Sequence, residues 1–208
     1  MTTIATPANA RSRRTRETLL QAARAILEGE GFEALTMAGV ADRAGVTRRA
    51  VYLHFASRSE LVAGLFEHVA RAEGLHESLR HVWDAPDAAS ALDEWARHLA
   101  RYHTRLLAAD RAIERVRRHD ADAAGHRERV MRGKLAGCRR LAQRVADEGV
   151  LAPGWDVDSA ADMIFALSTS DVVEGLTRDR RWSRARLADG LGLLLRSTLI
   201  RDPKGDSR

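Results

Sequence analysis

The chain has 208 residues, 45% hydrophobic and 30% charged, with a formal net charge of +5. This is the balance of a folded globular protein with one or two cores and excludes a wholly disordered chain. A single cysteine, Cys138, excludes an internal disulfide and fits a reducing cytoplasm.

In chain order, residues 1–12 are small and polar and are expected to form a disordered basic arm, without the apolar stretch of a secretory signal. From about Thr15 the spacing of Leu19, Leu20, Ala23, Ile26 and Leu27 predicts an amphipathic helix that Gly29 and Gly31 end. Phe32 and Leu35 lead into a second helix, whose Met37, Val40, Ala41 and Ala44 recur at i, i+3, i+4 and i+7. Gly45-Val46 breaks it, and Thr47 is a good N-cap for a third. There Val51 and Phe55 share one face, while Arg48 and Tyr52 share another with Arg49 beside them. Two helices joined by a short glycine-containing turn, the second basic at its N-terminal end, read as a helix-turn-helix. Residues 1–58 hold nine arginines against five acids, which is +4 of the total +5. Such a concentration suits a phosphate-binding surface, and equally a solvated basic face.

The run AGVTRRAVYLHFASRSEL resembles the DNA-binding signature of TetR-family transcriptional regulators. Ala44-Gly45-Val46 is followed by a hydroxyl residue, a recognition helix ending in Tyr52-Leu53-His54-Phe55, and a basic residue before the next helix. The likeness covers roughly Arg13 to Val69. It implies an all-α protein with a three-helix DNA-binding head and a larger C-terminal domain that dimerises and senses a small molecule. It also implies phosphate contacts from Thr36, Thr47, Tyr52, His54 and Arg58; for Tyr52 and His54 the alternative is packing and capping within the head. Arg58 stands where the family usually has lysine, and Arg48-Arg49 replaces small residues. Either arginine at the helix N-terminus can read a guanine edge or bind a phosphate.

Ser57 and Glu60 form a capping box that starts a fourth helix, expected to run with Leu61, Leu65, Phe66 and Val69 on one side as far as about His81. Pro86 marks a break. The next helix carries Leu92, Trp95, Leu99, Tyr102 and Leu106, and a shorter one carries Ile113 and Val116. A long helix then presents Met131, Leu135, Cys138, Leu141, Ala142 and Val145, and stops at Gly149 and Pro153. Two final helices, Asp156 to Leu176 and the one bearing Leu187 to Leu199, are apolar nearly all round. A helix of that kind is buried all round, so a second copy is expected to cover what this chain cannot, giving a two-fold four-helix bundle. Ile164, Leu167, Leu187, Leu191, Leu194 and Leu195 are the residues expected in that interface.

Trp95, His98, Leu99 and Tyr102 share one helix face and are expected to line an effector pocket, with Phe66 and Cys138 completing its wall. His98 reads as well, or slightly better, as a core histidine bonded to a neighbour. The paired glycines at 29/31 and 190/192 follow no strand, so neither reads as a nucleotide loop. The histidine pairs 76/81 and 98/103 are spaced five apart, which points the rings away from each other on a helix. No catalytic set, metal site or cofactor is expected. The basic run of the long helix is read as a solvated face.

The domains expected are a basic arm (1–12), a helix-turn-helix domain (13–58), a ligand-sensing and dimerisation domain (59–201) and a disordered tail (202–208). The sequence describes a cytoplasmic, dimeric, non-enzymatic regulator, expected to repress from palindromic operator DNA until a small-molecule effector releases it. A DNA-binding architectural protein without an effector, and a helical enzyme that keeps the helix-turn-helix as scaffold, are the two alternatives.

Overall fold

The computed structural model describes residues 10–201, and the expected tail and most of the expected arm lie outside them. Helices follow one another throughout, and among the described residues the only β feature is an isolated bridge between Leu151 and Ile200. The all-α class expected from the periodicity is therefore the one observed. None of the described helices is long and apolar enough to cross a membrane.

Two compact units form, Met1–Ala72 with Ala108–Arg127, and Glu73–Leu107 with Glu128–Arg208. In the first, α1 (Ala10–Gly29), α2 (Met37–Ala44) and α3 (Arg48–Tyr52) precede α4 (Arg58–Ala72). Leu19, Ile26, Phe32, Leu35, Val40, Val51, Phe55, Leu61 and Leu65 close their common core, all but excluded from solvent. Residues 10–12 belong to α1, where a disordered arm was expected. The turn into α3 is built as its residues dictate. Gly45 takes φ +66°, the left-handed conformation open to glycine, and Thr47 caps α3 by accepting a hydrogen bond from the Ala50 N–H at 3.3 Å. At the start of α4, Ser57 accepts from the Glu60 N–H at 3.2 Å, while Glu60 reaches back to the Ala56 N–H at 2.7 Å, one residue further than the usual box.

The fourth helix is shorter than its pattern suggested. It stops at Ala72, and α5 (Leu75–Trp83) starts afresh after Gly74, whose φ of +76° no helix accommodates. By contrast, the two helices expected between Leu92 and Val116 follow one another with no non-helical residue between them. The series is α6 (Ala88–His98), a π-helical turn over Leu99–His103, and α7 (Thr104–Val116). The long α8 (Ala121–Asp147) follows.

The helix expected over Asp156–Leu176 is divided. α9 (Val157–Leu167) ends where Ser168 turns its hydroxyl back onto the Ile164 carbonyl at 2.6 Å, and α10 (Ser170–Glu174) runs into a second π-helical turn. A serine hydroxyl that bonds its own backbone offers the chain an exit from the helix. α11 (Arg184–Leu199) packs chiefly against α6, and the core of this second unit joins Leu92, Trp95, Leu99, Cys138, Leu141, Ile164, Leu187, Leu191, Leu195 and Leu199.

That packing fixes how exposed the residues expected in a dimer interface are within the single chain. Leu187, Leu191 and Leu195 are at most 3% exposed within the single chain, because the chain's own α6 covers that side of α11, and Ile164 of α9 is fully buried in the same core. Leu167 is half-buried, and the large apolar side chains left outside on these helices are Met163, Leu193 and Leu194.

Candidate nucleic-acid interface and buried polar cluster

α3 is amphipathic across a single turn. Val51 and Phe55 are fully buried, whereas Arg48, Arg49, Tyr52 and Leu53 face solvent, Leu53 being 78% exposed. Thr36 and Thr47 stand at the N-termini of α2 and α3, both exposed. Thr36 Oγ1 accepts from the Gly39 N–H at 2.9 Å. Each hydroxyl therefore already serves its own helix, and its donor remains available to an anion at that end.

His54 is half-buried beside Arg16, whose guanidinium donates to the His54 carbonyl at 3.4 Å and lies 4.3 Å above the Phe55 ring. Burial, then the Arg16 charge, lowers the His54 pKa, which keeps the ring neutral near pH 7. The structure thus groups Thr36, Thr47, Arg48, Arg49, Tyr52 and His54 on α2, α3 and the turn that follows. Leu53 was missed by sequence reasoning. Its signal was there, since it falls outside the Val51/Phe55 stripe and so cannot be a core residue of α3.

Arg58 is placed differently. It is only about one-fifth exposed, and its donors go to the Leu35 and Phe32 carbonyls and to the carboxylates of Asp120 and Asp122. No periodicity could have found those two acids, 62 and 64 residues downstream.

In the second unit the His98 ring stacks on Tyr102 and is tilted 39° to Trp95, with 5.4 Å between ring centroids in each pair, and His103 meets His98 edge-on at 6.1 Å. All four are buried, as are Leu99 and Cys138 in the same unit. The Trp95 indole N–H donates to Ser168 Oγ at 2.9 Å, and the Lys134 ammonium donates to the Ser168 carbonyl at 2.8 Å. His98 Nδ1 shares a 2.9 Å hydrogen bond with Ser78 Oγ, to which Arg101 also donates. Phe66 belongs to the first unit, where its ring stacks on His126 at 3.8 Å. Ser78 and Ser168 were not foreseen, because an isolated serine carries no periodic signal.

Burial, helped by the charges of Arg101 and Lys134, lowers the His98 pKa from 6.5 to about 4, and burial raises the Cys138 thiol to about 12. Cys138 is therefore a packed, unreactive thiol at neutral pH. For His98 the folded pKa lies below the unfolded one, so between those values the unfolded chain binds the extra proton. Stability is fully present above pH 6.5 and falls as the pH drops towards 4, by about 3 kcal/mol in all. His98→Gln should flatten that part of the stability-against-pH curve, measured by urea unfolding between pH 7 and pH 4.

The model of the bacterial regulatory proteins, tetR family, matches residues 19–65, which span α1 to α4. The HTH-type transcriptional regulator TtgR of Pseudomonas putida is 34% identical over 79 residues, 38% of this chain. The matched stretch spans about a third of TtgR, 35% of its length. The fold of the whole chain is similar to that of SmeT in its complex with triclosan, with a TM-score of 0.69 and 24% identity over 91% of this chain and 93% of SmeT. NalD, the secondary repressor of the MexAB-OprM multidrug efflux pump in Pseudomonas aeruginosa, has a TM-score of 0.67 at 23% identity over 92% of this chain and 99% of its own.

Proposed function

Because the chain belongs to the tetR family of bacterial regulatory proteins, we propose that it is a dimeric, cytoplasmic transcriptional repressor that leaves its operator when a small molecule binds. The observation that carries the DNA-binding part is the outer face of α3. Arg48, Arg49, Tyr52 and Leu53 are exposed together on a turn whose other side is wholly buried, with Thr36 and Thr47 at adjoining helix ends. The arginines, as planar forks, suit guanine O6/N7 in the major groove, and the hydroxyls, Tyr52 and His54 suit phosphates. The exposed Leu53 suits a thymine methyl. The chain acts by binding and not by catalysis, as a regulator does.

The effector part rests on the buried polar groups of the second unit. A core needing only stability would fill the space around Trp95, His98 and Tyr102 with aliphatic side chains. Ser78, His98 and Ser168 instead place hydroxyl and imidazole groups among aromatic rings, the usual make-up of a small-molecule site. This favours a ligand-responsive protein over an architectural DNA binder. SmeT offers the parallel, having been seen with triclosan. An effector that weakens operator binding must, by linkage, bind the operator-bound protein more weakly by the same factor.

The test is selection of bound duplexes from random DNA, followed by titration of the enriched sequence. A palindrome should emerge, with half-sites about one helical turn or a multiple apart, and affinity should fall steeply with salt. Arg48→Ala or Arg49→Ala should each relax one position per half-site by about 1–3 kcal/mol. No enrichment over random DNA at physiological salt would sink the proposal.

A further inference from the structure

Arg58 is the basic residue of the helix-turn-helix signature whose surroundings fit a phosphate least. Its Nε donates to the Leu35 carbonyl at 2.6 Å and its Nη2 to the Phe32 carbonyl at 3.1 Å. Its Nη1 meets both oxygens of Asp120, at 3.0 and 2.8 Å, and Asp122 Oδ2 at 3.1 Å, while the guanidinium lies 4.9 Å over the Phe32 ring. Phe32 and Leu35 form the turn that delivers the chain to Thr36, the N-cap of α2. Asp120 in turn caps α8, its Oδ1 accepting from the N–H groups of Asp122 and Ala123 at 3.0 Å each. One guanidinium thus joins the entrance of the helix-turn-helix to the corner between α7 and α8, all within the first unit.

We propose that Arg58 is a latch and not a phosphate contact: with Asp120 and Asp122 it fixes the α1–α2 turn against the α7–α8 corner, and this fixation keeps the head in its operator-binding shape. The carboxylates are essential to that role. A phosphate at Arg58 would have to approach two negative charges that already hold the guanidinium, and like charges at that distance repel. The planar fork also explains arginine at this position, because a lysine ammonium cannot span two carbonyls and two carboxylates in one plane. Asp120 and Asp122 become positioning residues for DNA binding although they are outside the signature, and α8, which begins at the latch, continues in sequence to Lys134 and Cys138 of the second unit.

The proposal rests on the operator-binding reading, and its test separates the two. Thermal unfolding without DNA is measured for Arg58→Ala, for Asp120→Asn with Asp122→Asn, and for all three together. Asparagine keeps the α8 cap, so only the charge is removed. Each of the first two should lower Tm by roughly 5 °C, and the triple variant by little more than either, since contacting partners are not additive. Additive losses would overturn the latch. The second arm measures binding to a selected duplex against salt. Arg58→Ala should lose several-fold in affinity with an unchanged salt slope, whereas a lost phosphate contact would reduce the slope by about 0.9 per head and overturn the proposal. Neutralising Asp120 and Asp122 should also weaken binding, although removing negative charge near DNA by itself strengthens it. Unchanged or tighter binding there would count against the latch. If no duplex is preferred over random DNA, the operator reading fails, and the DNA-free unfolding comparison alone decides whether the latch exists.

Discussion

Leu193→Asp with Leu194→Asp should give a folded monomer with operator affinity reduced by orders of magnitude, whereas Leu191→Asp with Leu195→Asp should give no folded protein. The four leucines lie within five positions of one helix, and their environments are opposite. Leu193 and Leu194 are 62% and 44% exposed, and Leu191 and Leu195 are 3% and 2% exposed against the chain's own core. A carboxylate at either inner position is buried without a partner, which costs on the order of 5 kcal/mol or more and matches the whole stability of a typical domain. At the outer positions the carboxylates stay hydrated in the single chain and are desolvated only when a second copy covers them. A monomer presents one recognition helix and so forfeits half of the DNA contacts. Sedimentation, with circular dichroism as the check on folding, separates the pairs. An intact dimer in the outer variant would remove Leu193 and Leu194 from the interface.

Phe55→Ala should abolish operator binding and lower Tm by roughly 10 °C, the larger effect expected from any single truncation in the head. Phe55 is fully buried where α3 meets α4, and Gly64 on α4 approaches so closely that a Cβ there would sit 2.8 Å from the ring edge. A ring held this tightly leaves a cavity when removed, and the loss is about 3–5 kcal/mol for a phenylalanine in a packed core. The Arg16 guanidinium above the ring would lose its aromatic partner as well, worth a further ~0.5–1 kcal/mol. Phe55→Leu, which keeps most of the volume, should retain binding with a smaller drop in Tm. Thermal unfolding and duplex titration of the two variants check this. Operator affinity unchanged in Phe55→Ala would mean that α3 is not positioned by this contact.

Several features of the head were legible because they are local. Thr36 and Thr47 bind N–H groups three residues on, and the Val51/Phe55 pair needs only the pitch of one helix. The same logic gave the helical class, since i, i+3 and i+4 spacing recurs in segment after segment. It failed where two local readings compete. The apolar stripe continues past Ala72, but Gly74 at φ +76° ends the helix, and the pattern of Leu92 to Val116 conceals a π-helical turn over Leu99–His103.

What the sequence by itself determined is therefore the all-helical class, the helix-turn-helix with its caps and core, the likeness of residues 19–65 to the tetR family, and the fact that the last helices are apolar on more than one side. Only the tertiary structure decided which side is which. On α11 the inner face is the one that packs on α6 and buries Leu187, Leu191 and Leu195, and Gly192 there leaves room for the Asp93 carboxylate, whose Oδ1 would lie 2.6 Å from a Cβ. It also decided that Arg58 faces Asp120 and Asp122, and that His98 meets Ser78 while Trp95 meets Ser168. The physical reason is common to all of these. Periodicity reports how many faces of a helix avoid water, but the identity of the partner that covers a face, or that answers a buried charge, is settled between residues far apart in the chain.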